Sequence, residues 1–222
     1  MIDNVAVVLS GEAVEHLDEK HVIIQPVDGY RFGADAVSLA KFASGFIKRT
    51  DSVFDLCSGC GVVGILVAIA TGARVRGAEL DGALADMSNR SAAADGLDAK
   101  FFNADIRDVN SDMFLCGRAY DAVLCNPPFF KAHSRARKIA PTANSELTVT
   151  FEQVVAAAKK LLKPLGTFCL VYTAARLDEA VCVCRENGLT PKELVVNGNG
   201  KTFLMRCVLG GKCGLTVRVG NV

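Results

Sequence analysis

The stretch "DLCSGCGVVG", residues 55–64, decides the fold. It overlaps the short apolar run "SVFDLC" (52–57) and leads into "VVGILVAIAT" (62–71), which has the length and composition of a buried helix. A strand, a glycine-rich turn and a helix in this order are typical of the first unit of a nucleotide-binding sheet. Gly59, Gly61 and Gly64 have the spacing G-x-G-x-x-G, which dinucleotide-binding folds also show, so the glycines alone do not identify the ligand.

The alternation of strands and helices continues along the chain. Further strands are predicted at 74–80, 100–105, 120–125 and 167–173, and helices at 82–95, 150–163 and 177–188. The runs 193–198 and 202–210 flank the turn "NGNGK", which predicts a closing antiparallel hairpin. Together they predict an α/β fold: a Rossmann-like, doubly wound, mostly parallel seven-stranded sheet with that C-terminal hairpin. We expect a single domain, 1–222, in which 1–50 cap the site and 51–222 form the catalytic core.

Composition narrows the class of protein. The 222 residues are 50% hydrophobic and carry a net charge of +1, so a basic footprint for nucleic acid must be local. No apolar run approaches the ~18 residues of a membrane span, and no signal peptide precedes the nine cysteines, which predicts a cytoplasmic protein. The pair Cys57 and Cys60 lacks two further ligands at similar spacing, so we predict no metal site.

Three consecutive predicted strands end on or near an acidic residue. Asp55 stands just before the glycines, where it suits a positively charged ligand better than a pyrophosphate. Glu79 could accept hydrogen bonds from both ribose hydroxyls of a nucleoside, and Asp105 one from an adenine amine. Each alone could equally be a helix cap, a turn cap or a solvated charge. Together at strand ends they favour a nucleoside site that includes Leu80 and Ile106.

The fourth strand of the core runs directly into Asn126-Pro127-Pro128-Phe129. The prolines hold Asn126 and Pro127 out of helical geometry, which fixes the side-chain carbonyl of Asn126 and the main-chain carbonyl of Pro127. Two such oxygens can accept both hydrogens of a planar exocyclic amine, while Phe129 offers a face on which a base can stack. A strand-ending turn with its phenylalanine in the core is the structural alternative.

At these motifs the sequence resembles the class I S-adenosylmethionine-dependent methyltransferases with an N-P-P-[FY] motif. The segments "DGYRFGADAVSLA" (28–40) and "CNPPFFK" (125–131) are similar to the bacterial family that methylates the adenine amine beside the anticodon of a valine tRNA. The resemblance implies S-adenosylmethionine as the cofactor and a tRNA substrate. It makes the four residues of the motif catalytic, and it implies a donor site formed by Asp35, Asp55, Gly59, Gly61, Glu79, Leu80, Asp105, Ile106 and Asn126. Asp35 is expected just before an N-terminal helix, with a capping acid as the alternative.

The segment after the motif, "KAHSRARKIAPTANSE" (131–146), is polar and basic. Lys131, Arg135, Arg137 and Lys138 are predicted to contact RNA, although a solvated loop is an ordinary alternative. The family resembled usually has Arg-His where this chain has Asn144-Ser145. An amine methyltransferase acting on rRNA guanine, DNA adenine or a protein glutamine therefore stays open, as does, more remotely, a nicotinamide-dependent oxidoreductase or a non-enzymatic nucleotide-binding domain.

Overall fold

The structure, a computed structural model, describes residues 6–29, 31–108, 119–127 and 149–220. The strands are β1 (Glu12–His16), β2 (Val22–Pro26), β3 (Ser52–Leu56), β4 (Arg74–Glu79), β5 (Ala99–Asn103), β6 (Tyr120–Cys125), β7 (Leu162–Thr173), β8 (Leu189–Val196), β9 (Thr202–Leu209) and β10 (Thr216–Val219). The helices are α1 (Ala34–Ser44), α2 (Val62–Thr71), α3 (Gly82–Ala94), α4 (Phe151–Leu161) and α5 (Leu177–Glu186), with 3-10 turns at Ile106–Asp108 and Ala174–Arg176.

The main sheet has the order β10-β8-β9-β7-β6-β3-β4-β5. Neighbours from β7 to β5 are parallel, whereas β9 runs antiparallel to both β7 and β8. This order confirms the predicted doubly wound α/β fold and its C-terminal hairpin. Within the described residues, the main sheet contains eight strands, one more than the seven predicted, because β10 pairs in parallel with β8. The sequence of β10, TVRV, does alternate polar and apolar residues, a strand signal that the sequence prediction missed, and all four residues are exposed.

Helices cover both faces of the sheet. Helices α1 and α2 enclose one apolar cluster, around Leu39, Ile65 and Val75, and α4 encloses the other, around Phe54 and Phe168. A capping box starts α4, in which the hydroxyl of Thr150 accepts from the backbone amide of Gln153 at 3.4 Å. None of the helices in the described ranges is both long and apolar enough to cross a membrane.

An N-terminal β-hairpin, β1 with β2, was not predicted from the sequence. It docks on α3 through the outer edge of β2, where the amide of Ile24 donates to Ser91 Oγ at 2.9 Å. The amide of Val22 donates to Asp95 Oδ1 at 3.1 Å, and Pro26 has no amide hydrogen to satisfy. Side chains of a helix thus close a strand edge that would otherwise be unpaired.

Candidate functional site

The predicted site residues follow neighbouring strands at one edge of the sheet. In the ladder, Leu56 at the end of β3 lies opposite both Ala78 on β4 and Cys125 on β6. Because the carboxyl ends of parallel strands share an edge, the structure brings the glycine loop, Glu79 and Asn126 together there. This edge is where doubly wound sheets bind their ligands.

The glycine loop is held in shape by its own backbone. The amide of Ser58 donates to the carbonyl of Ala78 at 3.0 Å, and the amide of Gly61 donates to the carbonyl of Ser58 at 2.8 Å. Gly61 has φ +81°, and a Cβ there would lie 2.8 Å from the Cβ of Ser88, so only glycine fits without a shift. Gly59 has φ +56°, yet a Cβ there would meet no atom within 4 Å. The loop is thus closed at Gly61 and open at Gly59.

Asp55 lies beneath this loop. Its side chain is 1% exposed, and Oδ2 accepts a hydrogen bond from the amide of Gly64 at 2.9 Å. Burial raises the pKa of Asp55 to about 7, with a smaller contribution from the charge of Glu79 and an opposing one from the Gly64 amide. The geometry is that of a support for the start of α2, so contact with a charged ligand stays a prediction.

Glu79 links two strand ends. Its Oε2 accepts from the amide of Gly59 at 2.8 Å, and its Oε1 accepts from the amide of Asp81 at 3.0 Å. Burial raises the pKa of this carboxyl, and the hydrogen bonds from the backbone oppose that effect. The amide of Leu80 also bonds this carboxylate, whose roughly four lone-pair sites still leave room for a further donor. The neighbouring Leu80 is 49% exposed, which leaves an apolar surface beside the carboxylate.

Asp105 is held by a residue that the sequence did not single out. The Nε of Arg107 donates to both carboxylate oxygens at 2.9 Å, and this pairing lowers the pKa of Asp105. A ligand amine would have to share the carboxylate with the guanidinium. Ile106, predicted in the donor site, is 5% exposed and packs in the hydrophobic core, so the structure assigns its side chain a packing role.

The first half of the N-P-P-F motif ends β6. Cys125 is fully buried, Asn126 is half-buried and Pro127 is buried, as expected where a central strand reaches the sheet edge. The described residues stop at Pro127. The remaining predicted contacts lie outside them: Pro128, Phe129, Lys131, Arg135, Arg137 and Lys138, together with Asn144 and Ser145.

Asp35 lies in the first turn of α1, not before the helix as predicted. It does not cap that helix, whose N-cap is Gly33 without a side-chain hydrogen bond. Instead, its Oδ1 accepts from the hydroxyl of Thr202 at 3.0 Å, and Asn197 Nδ2 donates to that hydroxyl at 2.6 Å. Sequence reasoning missed Thr202 and Asn197, because 167 positions separate Thr202 from Asp35.

No group of three or more histidine, cysteine or acidic side chains in the described ranges is placed to hold a metal ion. Cys57 and Cys60, the only spaced pair of interest in the sequence, differ in surroundings. Cys60 is buried, and burial raises the pKa of its thiol to about 12. The group therefore stays a protonated, unreactive thiol at neutral pH.

The sequence of this chain is similar to those of proteins with assigned activities. Curated relatives include the tRNA1(Val) (adenine(37)-N6)-methyltransferase of Porphyromonas gingivalis, 30% identical over 67% of this chain and 61% of its own length. The protein of that name from Dickeya chrysanthemi is 25% identical over 71% of this chain and 62% of its own length. The chain thus spans about three fifths of these relatives (61% and 62%).

Solved structures share the fold. One described as a predicted O-methyltransferase from Agrobacterium tumefaciens superposes with a TM-score of 0.65 at 21% identity, covering 85% of this chain and 86% of that one. The ribosomal protein L11 methylase of Lactobacillus delbrueckii gives 0.61 at 14% identity, covering 87% and 97%. The sequence pattern of the methyltransferase small domain family matches residues 37–181. The chain therefore belongs to the methyltransferase small domain family.

Proposed function

We propose that this protein transfers a methyl group from S-adenosylmethionine to the exocyclic amine of an adenine in RNA, in a tRNA anticodon loop. The observation that carries the proposal is the meeting of Glu79, the open glycine at position 59 and the Asn126–Pro127 strand end at one edge of the sheet. A nucleoside donor and a flat amine acceptor need these two half-sites side by side.

The donor half-site fits S-adenosylmethionine. Open space above Gly59 would let a ligand approach the backbone, and the carboxylate of Glu79 would accept from the ribose hydroxyls. The exposed side chain of Leu80 lies where an adenine ring needs an apolar neighbour, and Asp105 can accept from its amine beside Arg107. When bound, the cofactor supplies an electrophilic methyl carbon on a sulfonium.

The acceptor half-site belongs to Asn126 and Pro127. The side-chain carbonyl of Asn126 and the main-chain carbonyl of Pro127 would accept hydrogen bonds from the two N–H groups of the amine and free the nitrogen lone pair for in-line attack on the methyl carbon. As the new C–N bond forms, the C–S bond would break and release S-adenosylhomocysteine as a neutral thioether, and the methylated amine would lose one proton to solvent. Phe129 would stack on the base. Holding the amine in line supplies most of the rate, so neither a metal ion nor a strong base is needed.

The proposed RNA substrate is supported by two observations. The relatives from Porphyromonas gingivalis and Dickeya chrysanthemi are named for the adenine at position 37 of tRNA1(Val). The four basic residues Lys131, Arg135, Arg137 and Lys138 follow the motif in sequence and would meet phosphates. Asn144-Ser145 would alter contacts to the RNA without changing the chemistry. A tRNA substrate also places the protein in the cytoplasm.

The test is to identify the methylated product. The protein is incubated with labelled S-adenosylmethionine and separate pools of tRNA, rRNA, DNA and protein, and the labelled nucleoside or residue is identified by mass spectrometry. We expect N6-methyladenosine in the tRNA pool and none with Asn126→Ala. Label in guanine, DNA or glutamine would overturn the acceptor, and binding of a nicotinamide dinucleotide in place of S-adenosylhomocysteine would overturn the donor.

A further inference from the structure

A hydrogen-bond relay joins the first helix to the C-terminal hairpin. Thr202 Oγ1 lies 3.0 Å from Asp35 Oδ1 and 2.6 Å from Asn197 Nδ2. A carboxylate has no proton to give, so the threonine hydroxyl must donate to Asp35, and the amide of Asn197 must donate to the hydroxyl. Thr202 and Asn197 are each 8% exposed, so the relay is shielded from competing water.

The relay lies at the ligand edge of the sheet. Thr202 begins β9 opposite Thr173, the last residue of β7. On β7, Leu170 lies opposite Cys125, so Thr173 is three residues (173 − 170) beyond the end of β6. The strand order puts β7 and β9 on the side of β6 that faces away from β4. Asp35, bonded to Thr202, therefore lies at the ligand edge of the sheet, on the side of β6 that faces away from Glu79.

The charge of Asp35 restricts what it can bind. No described lysine or arginine forms an ion pair with it, and its only described side-chain partner is Thr202. An anionic carboxylate repels RNA phosphates and attracts cations. The proposed donor carries an α-ammonium at its amino-acid end, whereas the target amine is neutral and is already assigned to Asn126.

We propose that Thr202 is a positioning residue, which holds Asp35 so that its second oxygen accepts from the α-ammonium of the methyl donor. The inference rests on the proposed function and adds the residues that grip the amino-acid end of the donor. Asn197 orients the hydroxyl, and the hydroxyl fixes the carboxylate. The nucleoside end, near Glu79, is independent of this relay.

Two ligands separate the ends of the donor: S-adenosylhomocysteine has the α-ammonium, and 5′-methylthioadenosine lacks the whole amino-acid part. Measured by calorimetry, Thr202→Val should lower the affinity for S-adenosylhomocysteine about tenfold, the effect of losing one hydrogen bond to a charged group. The affinity for methylthioadenosine should stay unchanged. Asp35→Asn should have the same selective effect, and Thr202→Ser should restore affinity. Thr190→Val is the matched control. The hydroxyl of Thr190 donates to the carbonyl of Gly211 at 2.8 Å, near the start of β8 and at the end of the hairpin away from Thr202.

Each outcome decides between distinct ideas. Equal weakening of both ligands by Thr202→Val gives the relay a structural role only and overturns the inference, as does an unchanged affinity for both. Weaker RNA binding with unchanged donor binding would move Asp35 to the acceptor and overturn it too. If the wild-type protein binds neither ligand, the proposed function itself fails. Should Thr202→Val not fold, Asp35→Asn and Thr202→Ser still compare the two ligands.

Discussion

The backbone amide of Gly59 donates to Glu79 Oε2 at 2.8 Å, which ties the loop after β3 to the end of β4. The same carboxylate accepts from the amide of Asp81 at 3.0 Å, at the start of α3. A single side chain therefore fixes the glycine loop and the next helix relative to each other. A ribose that binds Glu79 would meet a carboxylate already oriented by two backbone donors.

Replacing Glu79 by Ala should weaken donor binding by roughly 1.5–3 kcal/mol, because the ribose hydroxyls lose a charged acceptor. Calorimetric titration with S-adenosylhomocysteine measures the change. The control is Asp98→Ala, which removes a carboxylate that pairs with Arg74 and Arg76 at the other end of β4 and β5. Unchanged affinity in a folded Glu79→Ala protein would remove Glu79 from the site.

The two loop glycines should respond differently to alanine. At Gly61 the new methyl group would lie 2.8 Å from the Cβ of Ser88, so overpacking of ~1–3 kcal/mol adds to left-handed strain. At Gly59 only the strain of ~1–2 kcal/mol applies, because the methyl group meets open space.

Urea unfolding should therefore show the larger loss of stability for Gly61→Ala. Titration with the methyl donor should show the opposite ranking relative to stability. For the stability it loses, Gly59→Ala should lose more donor affinity than Gly61→Ala, because its new methyl group would enter the space assigned to the ligand. Equal stability losses would contradict the closed geometry at Gly61.

Asp55 should give the protein a pH-dependent stability. The pKa of Asp55 is about 7 in the folded chain, against the ordinary value of 3.8 expected for the unfolded chain. At a pH between these two values, the folded protein keeps a proton that the unfolded chain has released. The free energy of unfolding should thus fall as pH rises from about 4 to about 7. Asp55→Asn has no such proton, so urea titrations at about pH 5 and about pH 8 should differ less for it than for the wild type. An equal difference in both proteins would assign the slope to other groups.

The strand–loop–helix unit around Gly59 was predictable because local periodicity and glycine spacing determine it. Helix α2 has the predicted bounds, Val62–Thr71. The N-terminal hairpin was missed because its edge is satisfied by Ser91 of α3 and by Asp95, the residue that follows α3, more than sixty positions away along the chain. Arg107 was missed for another reason: the sequence does not show that the side chain of Arg107 donates a hydrogen bond to Asp105, two residues before it.

Asn126→Ala should separate chemistry from donor binding. If Asn126 accepts from the target amine as proposed, the substitution removes that acceptor, and turnover should fall ~100-fold or more, as when one preorganised hydrogen-bonding group is removed from an active site. Affinity for S-adenosylhomocysteine should stay within a few-fold. Asn187→Ala is the control, because among the described residues its side chain donates to the carbonyl of Val183, in the last turn of α5. Single-turnover methylation of tRNA measures the effect, and near-normal turnover would end the amine-activation role.

RNA affinity should fall as salt rises if Lys131, Arg135, Arg137 and Lys138 meet phosphates, because each neutralised phosphate releases counterions. The net charge of +1 offers no general attraction, so the dependence must come from a local cluster. Replacing Arg135 and Arg137 by Ala should flatten the log–log slope by about 1.4, at ~0.7 per contact on single strands. The matched control, Lys159→Ala with Lys160→Ala, removes equal charge from the last turn of α4, which precedes the amino end of β7 and lies away from the site. A slope near zero for the wild-type protein would mean that the four residues form a solvated loop without RNA contacts. A slope that only the control variant flattens would mean that RNA contacts α4 instead.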